Sequence, residues 1–296
     1  MKPIRKAVVR IFVALVCFCF TNAHADTIYV SNFGNGTIEK LDSSGHGTLF
    51  ASGLNDPFGL ALDGSGNLYV ANYNSDNILK FDSSGHGSVF ADSNSGADFP
   101  LGLAFDSSGN LYAGNWNASA IERFDSSGNG SFFASTGSQR PFGLAFDGGG
   151  NLYVSTYVDN TVMKFDAGGH GSVFASSGLN WPLALAFDRS GNLYVGNPGN
   201  NTIEKFDSSG HGTFFASFGS ISLYGLAFDS SGNLYAANND NGTIEKFDSN
   251  GADLGVFASG LSGPTFIAIQ VPEPATWSLL ALGVIALVGG RQLRRR

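Results

Sequence analysis

Pro57-Phe-Gly-Leu-Ala-Leu-Asp63, Asn67-Leu-Tyr-Val-Ala-Asn72, Asn77-Ile-Leu-Lys-Phe-Asp82 and Gly87-Ser-Val-Phe-Ala91 follow one another with only turn residues and a short loop between them. Each stretch is short, rich in β-branched and aromatic residues, and bounded by Gly, Asn, Asp or Ser, the pattern of four strands in succession. None shows a sustained apolar period of 3.6, so helices are not expected. The unit recurs along the chain. Its tyrosine returns at Tyr29, Tyr69, Tyr112, Tyr153, Tyr194 and Tyr235, a period of about 41 residues, the length of a four-stranded propeller blade. Apolar residues stand on both parities of a strand, as Ile203 and Phe206 do. Such strands suit a sheet covered on both faces by its neighbours.

The ends of the array point to a closed ring. The repeats begin in the second strand of a unit, at Asp26-Thr-Ile-Tyr-Val-Ser-Asn32, and end with a solitary first strand, Pro264-Thr-Phe-Ile-Ala-Ile-Gln270. Joined, they make one blade of three strands plus one, for six blades and no exposed end strand. The expected fold is therefore all-β: a six-bladed propeller over residues 26–270, with a signal peptide at 1–25 and a C-terminal segment at 271–296. An open solenoid would leave two half-units unused.

The unit is similar to NHL and YVTN-type propeller repeats. The residues that carry this are Pro141-Phe-Gly-Leu-Ala-Phe-Asp147, Gly150-Asn-Leu-Tyr-Val154, Thr202-Ile-Glu-Lys-Phe-Asp207 and Thr243-Ile-Glu-Lys-Phe-Asp248. The resemblance implies the fold; propellers of this type serve lactonases, lyases and binding scaffolds alike.

Both termini carry address-like segments. Lys2, Arg5, Lys6 and Arg10 precede the apolar run Ile11 to Phe20, and Ala23-His24-Ala25 offers small residues before a cut at Asp26, as a secretory signal peptide does. Cys17 and Cys19 lie inside it, so the exported chain has no thiol chemistry. At the other end stand Val271, Pro272, Glu273 and Pro274, the uncharged run Ala275 to Gly290, and Arg291, Arg294, Arg295 and Arg296. Sixteen helical residues span roughly 24 Å, short for a hydrocarbon core of about 30 Å. The arginines would hold the tail in the cytoplasm. This order resembles the PEP-CTERM sorting signal of Gram-negative bacteria. The resemblance implies an exosortase-type membrane protease as partner, at least transient membrane contact through the helix, and passage from the periplasmic face of the inner membrane to the cell surface or a biofilm matrix of exopolysaccharide.

Charge narrows the partners. The chain has 16 Lys and Arg and 24 Asp and Glu; without the four basic residues of the N-terminal segment and the four basic and one acidic of the tail, 8 and 23 remain, a net −15. Such a surface repels nucleic acid, which is excluded as a partner.

The connections fall on two faces. Asp106-Ser-Ser-Gly-Asn110 and Asp82-Ser-Ser-Gly-His-Gly87 lie on one face and read as turns, with Asp capping amides and Gly at positive φ. The first superficially resembles a calcium loop but lacks its carboxylate spacing and bidentate Glu. His46, His86, His170 and His211 occupy the same turn in separate blades, and Asn129 replaces them in another, so they diverge around the ring and cannot share a metal. No metal or other cofactor is expected.

The opposite face carries the variation. An Asn ring, Asn32, Asn72, Asn115, Asn197 and Asn238, is broken by Thr156 and followed by Phe33, Tyr73, Trp116, Tyr157, Pro198 and Asn239. Loops entering the first strands add Phe58, Phe142, Trp181 and Tyr224, and the longest connection runs from Asp92 to Phe99. Aromatic rings beside amides suit sugar rings, whose C–H faces stack while hydroxyls bond. The candidate ligand-binding residues are Phe33, Tyr73, Trp116, Tyr157, Trp181 and Tyr224, with Asn72 and Asn115; Val271 to Pro274 form the sorting motif. The same rings could instead pack between blades. The expected role is a non-catalytic scaffold for exopolysaccharide or another surface protein. The alternative is a propeller lactonase of the gluconolactonase type or a lyase of the virginiamycin-inactivating type. The former resemblance would require a metal held by Glu, Asn and Asp at the channel, the latter a catalytic His on the loop face. The inner strands carry no carboxylate before their terminal Asp and that face carries no His, so no catalytic residue is assigned.

Overall fold

The computed structural model describes residues 26–271 apart from 138, 218, 220 and 221. The signal peptide and the C-terminal helix expected from sequence lie outside the described residues. Residues Asp26–Gln270 form one compact unit of six four-stranded antiparallel sheets. In the blade quoted above the strands are Pro57–Leu62, Leu68–Asn72, Asn77–Phe81 and Gly87–Ala91, from the axis outward. The last blade is the composite one. Pro264–Gln270 pairs with Thr27–Asn32, placing Gln270 opposite Thr27 and Ile267 opposite Val30, and Thr37–Leu41 and Gly47–Ser52 complete it. Ser31 clasps this seam: its hydroxyl donates to the Phe58 carbonyl at 2.7 Å and accepts from the Phe266 amide at 2.9 Å, with the Thr265 hydroxyl 2.9 Å away.

The recurring tyrosine is the joint between blades. Tyr69 is buried, with Phe90 of its own outer strand and Phe105 of the next blade's inner strand both at 4.9 Å, each edge-on. Tyr112, Tyr153 and Tyr194 repeat the pair with Phe133 and Phe146, Phe174 and Phe187, and Phe215 and Phe228. Each such edge-to-face contact contributes about 0.5–1.5 kcal/mol beyond the area buried. The Lys80 ammonium lies 5.1 Å from the Tyr69 ring centre and 3.7 Å from Asp63, so one lysine caps both ring and turn.

The Asp turns behave as their sequence demands. The Asp106 carboxylate accepts from the amides of Ser108 and Asn110 at 2.9 Å and from the Asn110 side chain at 2.8 Å, while Gly109 takes φ +84°. Its oxygens are spent on amides. On the outer edge, the pairing of third and fourth strands shifts register in every blade. These bulges twist the free edge and discourage pairing with another chain.

Around the axis the inner strands approach more closely than side chains allow. A Cβ on Gly59, Gly102, Gly143 or Gly225 would stand 2.0–2.4 Å from the next blade's carbonyl oxygen. The blade with Ala184 at this position begins its inner strand late, at Leu185, and the composite blade has Phe266 there, one residue after Thr265.

Candidate functional site

The residues after Pro57, Pro100, Pro141 and Pro182, and Tyr224 at the matching place after Leu223, meet at the axis on the variable-loop side. Phe58, Phe142 and Tyr224 come from alternate blades, yet their ring centres lie 5.8–6.3 Å apart, so they meet across the channel. Phe266 stacks on Phe142 at 5.8 Å with an interplanar angle of 19°, and buried Leu101 and Leu183 fill the intervening blades. The channel is closed at this end by an aromatic floor. Phe266 was not among the sequence candidates; its signal was the break in the glycine pattern of the inner strands.

The candidate rings extend this floor outward. Phe33 and Tyr73 flank Phe58 at 5.4 and 5.6 Å, and Phe99, also missed from sequence, lies 5.1 Å beyond Tyr73. Trp116 leans on Phe142 at 6.3 Å and on Tyr157 at 6.0 Å; Trp181 follows Tyr157 at 5.9 Å. The structure thus brings together Phe33, Tyr73, Trp116, Tyr157, Trp181 and Tyr224 in one connected aromatic surface. Trp181 is 51% exposed and Phe33 40%; Tyr73, Trp116, Tyr157 and Tyr224 are half-buried. The loops are placed by backbone bonds from the residue after the Asn, or after Thr156 in its place, to the residue before the proline: Tyr73 to Asp56, Trp116 to Phe99 and Tyr157 to Arg140, at 3.1–3.2 Å. Pro198 lacks the amide needed for this bond, and in that blade Gly199 bonds Asn180 instead.

Asn72 and Asn115 sit differently from the exposed amides a sugar would require. Both are buried. The Asn72 carbonyl accepts from the Asn55 amide at 2.6 Å; Asn115 accepts from the Asp98 amide at 3.3 Å and donates to the Gly96 carbonyl at 2.7 Å. Their amides hold the loops beneath the rings. Asn32, fully buried before Phe33, differs: its side-chain oxygen has no partner.

Two aromatics are held in an uncommon backbone conformation. Phe99 and Trp181, each before a proline, have φ of +47° and +54°, a region that bulky residues occupy only under constraint, at a cost of about 1–3 kcal/mol. Bonds from their amides to the side chains of Asp76 at 2.8 Å and Asn160 at 2.6 Å fix them. Burial first, then the charge of Asp240, raises the Tyr224 hydroxyl above its usual range. Among the described residues no group of three His, Cys, Asp or Glu side chains is placed to hold a metal ion.

Comparison with known proteins identifies one segment and the fold. Residues 270–296 match the family model of the PEP-CTERM protein-sorting motif. The motif implies processing by an exosortase and export and sorting to the cell surface in Gram-negative bacteria. No match was found among curated proteins. Among solved structures, a chain of a nidogen/laminin complex superposes with TM-score 0.74 at 19% identity, covering 82% of this chain and 98% of that one. Virginiamycin B lyase from Staphylococcus aureus gives 0.66 at 13% identity, with 83% and 88% covered. A gluconolactonase from Xanthomonas campestris gives 0.65 at 18%, with 84% and 93% covered. At such identities the likeness shows the fold alone: a six-bladed propeller with neighbours of the lyase and lactonase type.

Proposed function

We propose that this chain is a cell-surface or matrix glycan-binding scaffold whose propeller, residues 26–270, is exported behind a cleaved signal peptide at 1–25 and delivered by the sorting segment at 271–296. The observation that carries the reading is the connected aromatic floor on the variable face, exposed at Phe33 and Trp181 and fixed at strained positions. Rigid rings with one open face stack on the C–H faces of sugars at little entropic cost. Polysaccharide of the producing cell is the intended ligand.

The test is affinity electrophoresis of the full-length protein against polysaccharide from the producing cells. Trp181→Ala and Phe33→Ala should each weaken retention by about 5- to 30-fold, the worth of about 1–2 kcal/mol per lost stacking ring, and chelator should change nothing. A second reading, a lactonase or lyase, is favoured by the fold likeness to enzymes of both kinds. Turnover of a lactone or a cyclic depsipeptide that stops with chelator would establish it over the scaffold.

A further inference from the structure

The charges of residues 26–271 are divided unequally between the two faces. Six basic side chains lie on the third strands and Arg189 lies in an Asp turn. Lys80, Lys164, Lys205 and Lys246 each reach a turn carboxylate, Asp63, Asp147, Asp188 and Asp229, at 3.7–3.8 Å. On that face these four of the eleven turn aspartates are paired with lysine, and seven basic side chains stand against the eleven.

The aromatic face has one basic side chain among the described residues. Its loops carry Asp56, Asp76, Asp98, Asp159 and Asp240 against Arg140. Asp76 accepts from the Phe99 amide at 2.8 Å and Asp240 from the Ser222 hydroxyl at 3.0 Å, while Asp56 and Asp159 accept from the side chains of Asn74 and Gln139. Those partners are neutral, and among the described residues none of these carboxylates forms an ion pair. They border the floor: burial, opposed by Arg140 and aided by Asp56 and Asp76, raises the Tyr73 hydroxyl. One cation already rests on the rings, with the Arg140 guanidinium 4.8 Å from the Trp116 ring centre.

From the aromatic floor and its rim of unneutralised carboxylates, we infer that this face selects a glycan bearing free ammonium groups, that is, amino-sugar units without their N-acyl group. The inference rests on the glycan-binding reading above. An ammonium gains from both the π faces and the carboxylates. A uronate would meet carboxylates of its own sign, and an N-acetylated unit would gain from stacking alone.

The experiment is calorimetric titration of the full-length protein with three hexasaccharides: glucosamine, N-acetylglucosamine and mannuronate. The glucosamine hexamer should bind about tenfold more tightly than its acetylated counterpart, by an advantage that shrinks in 0.5 M salt, and the mannuronate hexamer least. Asp56→Asn/Asp98→Asn/Asp240→Asn should erase the advantage and leave the acetylated hexamer unchanged. Arg140→Gln should strengthen glucosamine binding a few-fold. Asp82→Asn/Asp125→Asn/Asp207→Asn, removing the same charge from the opposite face, should do nothing. Equal or tighter binding of the acetylated or uronate hexamer would overturn the charge inference while leaving glycan binding intact. So would hexalysine binding as tightly as the glucosamine hexamer, which would mark simple cation exchange. Binding of no hexasaccharide would overturn the glycan reading itself.

Discussion

Placing one methyl group at the axis tests how closely the ring is packed. In Gly102→Ala the new Cβ would lie 2.1 Å from the Phe142 carbonyl oxygen and 3.1 Å from the Leu144 amide nitrogen of the next blade. Both are backbone atoms, so no rotamer change relieves them. An ordinary carbon–oxygen contact needs the two inner strands to part by about 1 Å, and overpacking of this kind costs about 1–3 kcal/mol. The glycine is not at positive φ, so the penalty is purely one of space. Gly64→Ala is the control, because its Cβ meets nothing within 4 Å and its φ is ordinary. That variant should be neutral or gain about 0.4–1 kcal/mol from its stiffer unfolded chain. By calorimetry, Gly102→Ala should melt about 3–10 °C below Gly64→Ala, taking about 2–4 °C per kcal/mol for a domain of this size. Hydrogen exchange should locate the loss at Pro100–Phe105, as in the blade with Ala184, where the inner strand starts only at Leu185. Equal melting temperatures would refute the claim that the inner strands leave no room for a side chain.

Further outcomes follow from the turns and the seam. Amide bonds hold Asp82 and Asp125 below the usual carboxylate range, and the Ser209 hydroxyl with nearby amides does so for Asp207; for Asp63, Asp106, Asp147 and Asp188 burial opposes this and the bonds from their Asn partners win. A depressed folded pKa gives stability that is full above the unfolded value near 3.9 and lost as pH falls through the folded values. Melting temperature should therefore hold steady from neutrality to about pH 5 and drop steeply below about pH 4; a decline centred on pH 6 would contradict this. Ser31→Ala removes the acceptor of the Phe266 amide and the donor to the Phe58 carbonyl at the closure, so urea denaturation should show a loss of about 1–3 kcal/mol. Ser155→Ala, which removes a 2.7 Å bond to the Leu183 carbonyl at an equivalent position, should cost a similar amount; if neither changes the midpoint, the hydroxyl clasps are dispensable.

The fold was legible because each device in it is local and repeated. Tyr69, its Asp63 turn and Lys80 all lie within one unit, so five copies, with Arg123 in place of lysine in one, announce one geometry. The closure was legible for the same reason, from a half-unit at each end. The floor was harder to see. Phe58, Phe142 and Tyr224 stand two repeats apart in sequence and meet only because the ring brings alternate blades to one axis. Phe99 ends the long connection singled out from sequence and stands, like the candidate Trp181, before a proline, but was not itself chosen; Arg140 was missed because the same place holds Asp56 and Gly263 in other blades. The Asn ring misled in the other direction: Asn72 and Asn115 look like free amides in sequence, but the loop amide 17 residues earlier in the chain consumes each carbonyl.

The seam also fixes how the domain answers to a pull. The strand that closes the ring, Pro264–Gln270, is the innermost of its blade, and the sorting motif begins at residue 270. Tension applied through the tail therefore enters at the axis rather than at the rim. It bears first on the Gln270 end of the pairing with Thr27–Asn32 and on the Ser31 clasp behind it. The outer strand of this blade, Gly47–Ser52, pairs only with Thr37–Leu41 and stays out of the load path. Mechanical strength is thus concentrated in one strand, and the first event under force is loss of closure, with five blades still folded.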